Sequence, residues 1–113
     1  RRRFSPVALT GVSDGMRVMQ EEIFGPILPV VPYAGIGEAI GFVRGRSHPL
    51  ALYYFGGGED RERVLRETIS GGVTVNNTLL HFAQEDLPFG GVGPSGIGVY
   101  HGTEGFRTFS QAK

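Results

Sequence analysis

The chain contains no cysteine, and this absence removes several kinds of chemistry at once. Disulfides, thiolate metal sites and a thiol nucleophile are all excluded within these 113 residues. The three histidines, His48, His81 and His101, also lack the spacing of metal ligands, since no two lie three to five residues apart on a predicted helix. We therefore expect no metal site and interpret the histidines as ordinary side chains.

The sequence also lacks a long apolar run and a net charge. No stretch approaches the roughly twenty apolar residues that a membrane span needs, and the first residues form no apolar signal region. Eleven Lys and Arg balance eleven Asp and Glu, so no overall field would draw the chain to nucleic acid or an anionic membrane. The expectation is a cytoplasmic protein that binds neither.

Hydrophobic patterning predicts strands and helices in the first half of the chain. Segments 4–12 and 27–33 combine β-leaning residues with prolines, which suits extended edge segments. Apolar residues three and four apart predict a helix over 37–46. The run "LALYYF" at 50–55, bounded by a proline and three glycines, predicts a strand covered on both faces.

The second half continues this alternation and then loses it. Acidic residues followed by an apolar stripe predict a helix over 59–70, with Gly71 as its stop. A short strand is predicted at 72–77, a short helix around 99–105, and a last strand at about 106–113. The order helix, strand, helix, strand predicts one α/β domain with short parallel strands and crossover helices.

The segment "PFGGVGPSGIG" at 88–98 contains G-x-G-x-x-G, yet its context argues against a dinucleotide-binding turn. The residues before it, "HFAQEDLP", are polar and end in proline, so no buried strand feeds the glycines. Ser95 nearly completes a nucleophile elbow, but the second glycine comes one place early and no strand precedes it. These glycines therefore predict tight backbone packing.

Two pairs of polar residues are open to more than one interpretation from the residues alone. Glu21 and Glu22 precede a Phe-Gly-Pro turn, and neighbours in an extended segment point to opposite faces, so one could face a site. Asn76 and Asn77 follow a predicted strand, where amides could either hold a turn or reach a ligand at the strand's carboxyl end.

Three segments in this order and separation resemble the C-terminal part of the aldehyde dehydrogenase superfamily: "EEIFGPILPVVPY", "GGVTVNN" and "LPFGGVGPSGIGVYHGTEGFRTFS". The last is most similar to the branch that contains class 3 and coniferyl aldehyde dehydrogenases. The resemblance implies a partial catalytic domain spanning 1–113, truncated at both ends and entering the family's oligomerisation strand at about 106–113.

The resemblance also implies site residues. In the family, the second glutamate of the E-E-x-F-G-P motif hydrogen-bonds the nicotinamide ribose of NAD or NADP, and the phenylalanine packs near the nicotinamide ring. These roles fall on Glu22 and Phe24. Phe89 would be a wall of the aldehyde pocket, and Phe82 a second candidate for it.

Family members oxidise an aldehyde to the acid with a cysteine thiolate and a glutamate base, which lie upstream of the matched region. No catalytic residue is therefore expected in this chain, and the fragment alone should be inactive. Its expected partners are a small aldehyde, the rest of the parent polypeptide and further copies in a homo-oligomer. Two alternatives remain: a non-catalytic interaction module, and a small nucleotide-binding domain built on the glycine-rich loop.

Overall fold

The fold is taken from a computed structural model that describes residues 3–113. The chain divides into two compact units, Arg1–Ala34 and Gly35–Lys113. The regular elements are strands β1 (Val7–Leu9), β2 (Ile27–Pro29), β3 (Ala51–Tyr54) and β4 (Gly72–Val75), helices α1 (Ile36–Arg44), α2 (Gly58–Glu67) and α3 (Gly102–Thr108), and short 3-10 helices at Arg17–Met19, Leu80–Ala83 and Gly93–Ser95.

The first unit is built on a two-stranded parallel sheet. Strands β1 and β2 pair in register from Val7 opposite Ile27 to Leu9 opposite Pro29. The Val30 amide donates to the Leu9 carbonyl at 2.8 Å and extends the ladder by one bond. Both strands, of three residues each, are much shorter than the predicted extended segments.

The second unit contains the predicted crossover. Strands β3 and β4 pair in parallel from Ala51 opposite Gly72 to Tyr54 opposite Val75, and α2 connects them. Helices α1 and α2 bury the most enclosed apolar side chains of residues 3–113, Ile40 and Val64, at 4% and 6% exposure. The α/β class with short parallel strands and crossover helices is confirmed, although the strands form two small sheets.

Helix α2 ends earlier than predicted. The Thr68 hydroxyl donates to the Val64 carbonyl at 2.7 Å, and the Thr68 backbone is already extended. The Thr68 amide also donates to that carbonyl, at 3.1 Å, so the last helical bond is made, and the helix stops at Glu67 instead of Ser70 because the Thr68 backbone leaves the helical conformation. The prediction that β3 is covered on both faces is also wrong for this chain, because Tyr53 is 37% exposed.

The predicted strand at 106–113 is wrong in its secondary structure. Residues Gly102–Thr108 are helical, and residues 109–113 belong to no strand. Arg107 donates to Glu104 at 2.6 Å along the helix, which favours this conformation. The apolar positions Phe106 and Phe109 are three apart, a spacing that puts both side chains on one face of a helix but on opposite faces of a strand. Within residues 3–113, no helix is long and apolar enough to cross a membrane.

Candidate functional site

Glu21 and Glu22 are in different electrostatic surroundings. Arg17 donates to both carboxylate oxygens of Glu21, at 3.0 and 2.8 Å, one turn back in the chain. The hydrogen bond to Glu21 raises the pKa of the exposed Arg17 guanidinium above its usual value. Glu22, in contrast, makes no hydrogen bond or ion pair to any residue of 3–113. Of the two adjacent carboxylates, only Glu22 keeps its acceptor oxygens available.

Phe24 lies beside this available carboxylate and is almost fully exposed, at 94%. The turn that presents it closes at Gly25, whose carbonyl accepts from the Ile27 amide at 2.9 Å as β2 begins. The two side chains belong to one open cavity of about 390 Å³. Its lining residues are Arg17, Val18, Glu21, Glu22, Ile23, Phe24, Gly25 and Ile27.

The cofactor roles that the resemblance implies for Glu22 and Phe24 are compatible with the chemistry of this cavity. An ionised carboxylate accepts hydrogen bonds from two hydroxyls, and an aromatic ring next to it offers a flat apolar face to a planar heterocycle. The residues predicted to hold the cofactor are thus neighbours at one exposed edge of the first unit. Their roles in binding stay predictions.

A second candidate region lies in the second unit, around Phe89. We call it the aromatic cluster, and Phe89 is its centre. The Phe89 ring centroid lies 5.7 Å from that of His81, 5.7 Å from that of Tyr100 and 6.4 Å from those of Phe82 and His101. The cluster consists of Tyr53, His81, Phe82, Phe89, Tyr100 and His101.

Backbone pairing fixes Phe89 within the cluster. The Phe89 amide donates to the Tyr100 carbonyl at 2.8 Å, and the Tyr100 amide returns a bond of 3.0 Å, which forms an isolated antiparallel bridge. Phe82 stands on the 3-10 helix and is half exposed. The structure therefore brings together the two phenylalanines that were predicted to contact substrate, and their contact with an aldehyde stays a prediction.

Sequence reasoning missed the histidines of the cluster. His81 and His101 were interpreted as ordinary because their spacing fits no metal site, but both rings contact Phe89. His101 adopts a left-handed backbone, with φ of 78°, just before α3 begins. Both of these histidines are adjacent to an aromatic residue in the sequence, His81 to Phe82 and His101 to Tyr100. These two pairs were the signal from which the aromatic cluster could have been predicted.

The glycine-rich loop folds as a tightly packed connection. A Cβ at Gly90 would lie 2.1 Å from the Gly98 carbonyl oxygen, and one at Gly91 would lie 2.1 Å from that of Ser95. The loop contains a single 3-10 turn, Gly93–Ser95, and no regular strand leads into it. This geometry agrees with glycines that allow close backbone approach and differs from a strand–turn–helix dinucleotide site.

Asn76 holds a turn. Its Oδ1 accepts from the Gly56 amide at 2.8 Å, and its Nδ2 donates to the Gly56 carbonyl at 3.1 Å. These bonds tie the end of β4 to the turn between β3 and α2. Asn77 accepts from the Thr78 amide at 2.8 Å. Of the two interpretations of these amides, the structural one accounts for the contacts they make.

The chain belongs to the aldehyde dehydrogenase family, whose sequence profile matches residues 2–113. It is 61% identical over 114 residues to a probable coniferyl aldehyde dehydrogenase of Pseudomonas aeruginosa, covering 100% of this chain and 24% of that protein. The fold resembles the substrate-bound state of Staphylococcus aureus AldH, with TM-score 0.88, 49% identity, and 96% and 24% of the two chains covered.

A betaine aldehyde dehydrogenase of Staphylococcus aureus, solved in complex with NAD+, is also similar. Its TM-score is 0.83 at 32% identity, over 94% of this chain and 21% of that one. The resemblance read from the three sequence segments is confirmed. The chain spans about a quarter of the length of these relatives.

Proposed function

We propose that this chain is the C-terminal part of the catalytic domain of an NAD(P)-dependent aldehyde dehydrogenase that oxidises coniferyl or another aromatic aldehyde to its acid. The observation that carries the cofactor assignment is the difference between Glu21, which is paired with Arg17, and Glu22, which is not paired within residues 3–113. Relatives named as coniferyl aldehyde dehydrogenases, and a similar structure in complex with NAD+, support the reaction class.

Within that reaction, Glu22 and Phe24 position the cofactor. The bound nicotinamide supplies the hydride acceptor. The Glu22 carboxylate would accept hydrogen bonds from the two ribose hydroxyls and so fix the sugar, because charge-assisted hydrogen bonds are short and directional. The exposed Phe24 ring would offer an apolar face to the nicotinamide and exclude water from it. Both side chains orient the ring without taking part in bond making.

Phe89 and Phe82 act on the substrate side. Two backbone hydrogen bonds to Tyr100 fix the backbone of Phe89, from which its ring extends. Phe82 meets it edge to face at 6.4 Å and 63°. Two rings at this angle form a corner, into which the flat ring of an aromatic aldehyde packs by the same offset contacts that aromatic pairs prefer.

The rest of the parent polypeptide completes the enzyme. The proposed nucleophile and general base belong to that remainder, so this chain alone is inactive. Several large apolar side chains here are exposed, among them Phe24, Ile97, Phe106 and Phe109 at 94%, 99%, 75% and 87%. Such exposure, which occurs in both units, is expected of apolar side chains that another surface covers. It supports the proposal that the remainder of the parent polypeptide, and further copies in a homo-oligomer that we propose to be cytoplasmic, bury these side chains.

The experiment uses the full-length protein with Glu22→Gln and, as matched control, Glu21→Gln. Glutamine at position 22 keeps one acceptor oxygen and loses the charge, so the Kd for NAD or NADP rises about tenfold or more. Glutamine at position 21 breaks only an exposed pair with Arg17, and the Kd changes by less than about twofold. Calorimetric titration measures both. Equal Kd values for the two variants would contradict the cofactor assignment.

A further inference from the structure

The contacts of His81 link the aromatic cluster to strand β4. The His81 Nδ1 lies 3.1 Å from the Thr74 hydroxyl oxygen, within hydrogen-bond distance. The same imidazole ring lies between two aromatic rings, with its centroid 5.8 Å from that of Tyr53 and 5.7 Å from that of Phe89. His81 therefore connects a strand of the sheet to the central ring of the cluster.

The other edge of the His81 ring is enclosed. Its Nε2 is buried and has no hydrogen-bond partner among residues 3–113. A Cβ at Gly72 would lie only 2.8 Å from His81 Cδ2 and 3.1 Å from Nε2, so the ring rests where a side chain would otherwise stand. Gly72 and Thr74 are two apart on β4 and share one face of the strand. The hydrogen bond to Thr74 is thus the single polar contact that fixes the ring's rotation within the described residues.

We propose that His81 is a positioning residue: through Thr74 it fixes the ring of Phe89, and in this way it sets the preference for aromatic over short aliphatic aldehydes. This rests on the proposed function, in which Phe89 is a wall of the aldehyde pocket. An aromatic substrate packs its whole ring against Phe89 and loses contact area when that ring tilts. A two-carbon aldehyde makes few contacts with Phe89 and is little affected.

The test uses the full-length protein and three variants. Thr74→Val keeps the side-chain shape and removes the hydroxyl, His81→Phe keeps a ring and removes the nitrogen, and Thr74→Ser keeps the hydroxyl. The kcat and KM are measured for benzaldehyde and for acetaldehyde at saturating NAD. Loss of one hydrogen bond is expected to raise the KM for benzaldehyde about fivefold in Thr74→Val and His81→Phe. In these two variants, the kcat for both aldehydes and the KM for acetaldehyde should not change. In Thr74→Ser, the KM for benzaldehyde should stay within about twofold of the wild-type value.

The double variant Thr74→Val/His81→Phe separates positioning from two independent defects. Because both changes remove the same bond, its KM for benzaldehyde should match that of either single variant. Multiplied effects would overturn the proposal, as would equal losses with both aldehydes. If His81→Phe does not fold, Thr74→Val and Thr74→Ser carry the same comparison. A wild-type protein that oxidises neither aldehyde refutes the proposed function first, before any variant is compared.

Discussion

Replacing Gly91 by alanine tests whether the glycine-rich loop needs its glycines for close packing. An added Cβ would lie 2.1 Å from the Ser95 carbonyl oxygen, 2.3 Å from its carbonyl carbon and 2.6 Å from the Gly96 nitrogen. These three atoms belong to one peptide group, so no flexible side chain can relieve the overlap. That peptide must move by more than about 1 Å to restore ordinary van der Waals contact.

The cost follows from what holds that peptide in place. The Gly96 amide donates to the Gly93 carbonyl at 3.1 Å, and the Val92 amide donates to the Ser95 hydroxyl oxygen at 2.9 Å. Losing both bonds costs about 2 kcal/mol, and displacing packed neighbours adds about 1 to 3 kcal/mol. We expect Gly91→Ala to destabilise the fold by about 3 to 5 kcal/mol.

Thermal melting of the full-length protein measures this effect, with Gly41→Ala as control. Gly41 lies inside α1, and an added Cβ would have no atom within 4 Å apart from its chain neighbours and the helix's own backbone, so alanine there should stabilise by about 0.8 kcal/mol. We expect the melting temperature to fall by about 5 °C or more in Gly91→Ala and to hold or rise in Gly41→Ala. A Gly91→Ala variant that melts within about 1 °C of wild type would refute the packing argument.

Two further predictions concern the second unit, and both are read from urea or thermal unfolding of the full-length protein. Asn76→Ala loses both hydrogen bonds to Gly56 and should destabilise by about 2 kcal/mol; an unchanged midpoint would show that the amide does not hold the turn. Val64→Ala removes two buried methyl groups and should lower the free energy of unfolding by about 2 kcal/mol. Leu65→Ala, at a site 41% exposed, should lower it by less. The reverse order would show that Val64 is not the more important core residue.

The elements of the second unit were predictable because local signals agree there. The run at 50–55 and the strand at 72–77 are bounded by proline or glycine, and the structure has strands at Ala51–Tyr54 and Gly72–Val75. The C-terminal segment was predicted wrongly as a strand, although the three-residue spacing of Phe106 and Phe109 fits a helix better. The outcome there depends on helical contacts such as the bond from Arg107 to Glu104.

The candidate site residues also differ in how far the sequence alone could place them. Glu22 and Phe24 are two residues apart, so a motif can place them together, and only the pairing of Glu21 with Arg17 had to come from the structure. The aromatic cluster depends on contacts between distant segments. Phe89 pairs with Tyr100 through an isolated β-bridge and contacts His81 ring to ring, and no periodicity encodes either contact.

The most direct measurement is oxidation of coniferyl aldehyde by the full-length protein that contains this chain. The protein is mixed with the aldehyde and either NAD or NADP, and reduced nicotinamide is followed by absorbance while the acid is quantified. The proposed function predicts that reduced cofactor and carboxylic acid form in equal amounts with at least one of the two cofactors. Absence of reduction with both cofactors, across aromatic and aliphatic aldehydes alike, would contradict it.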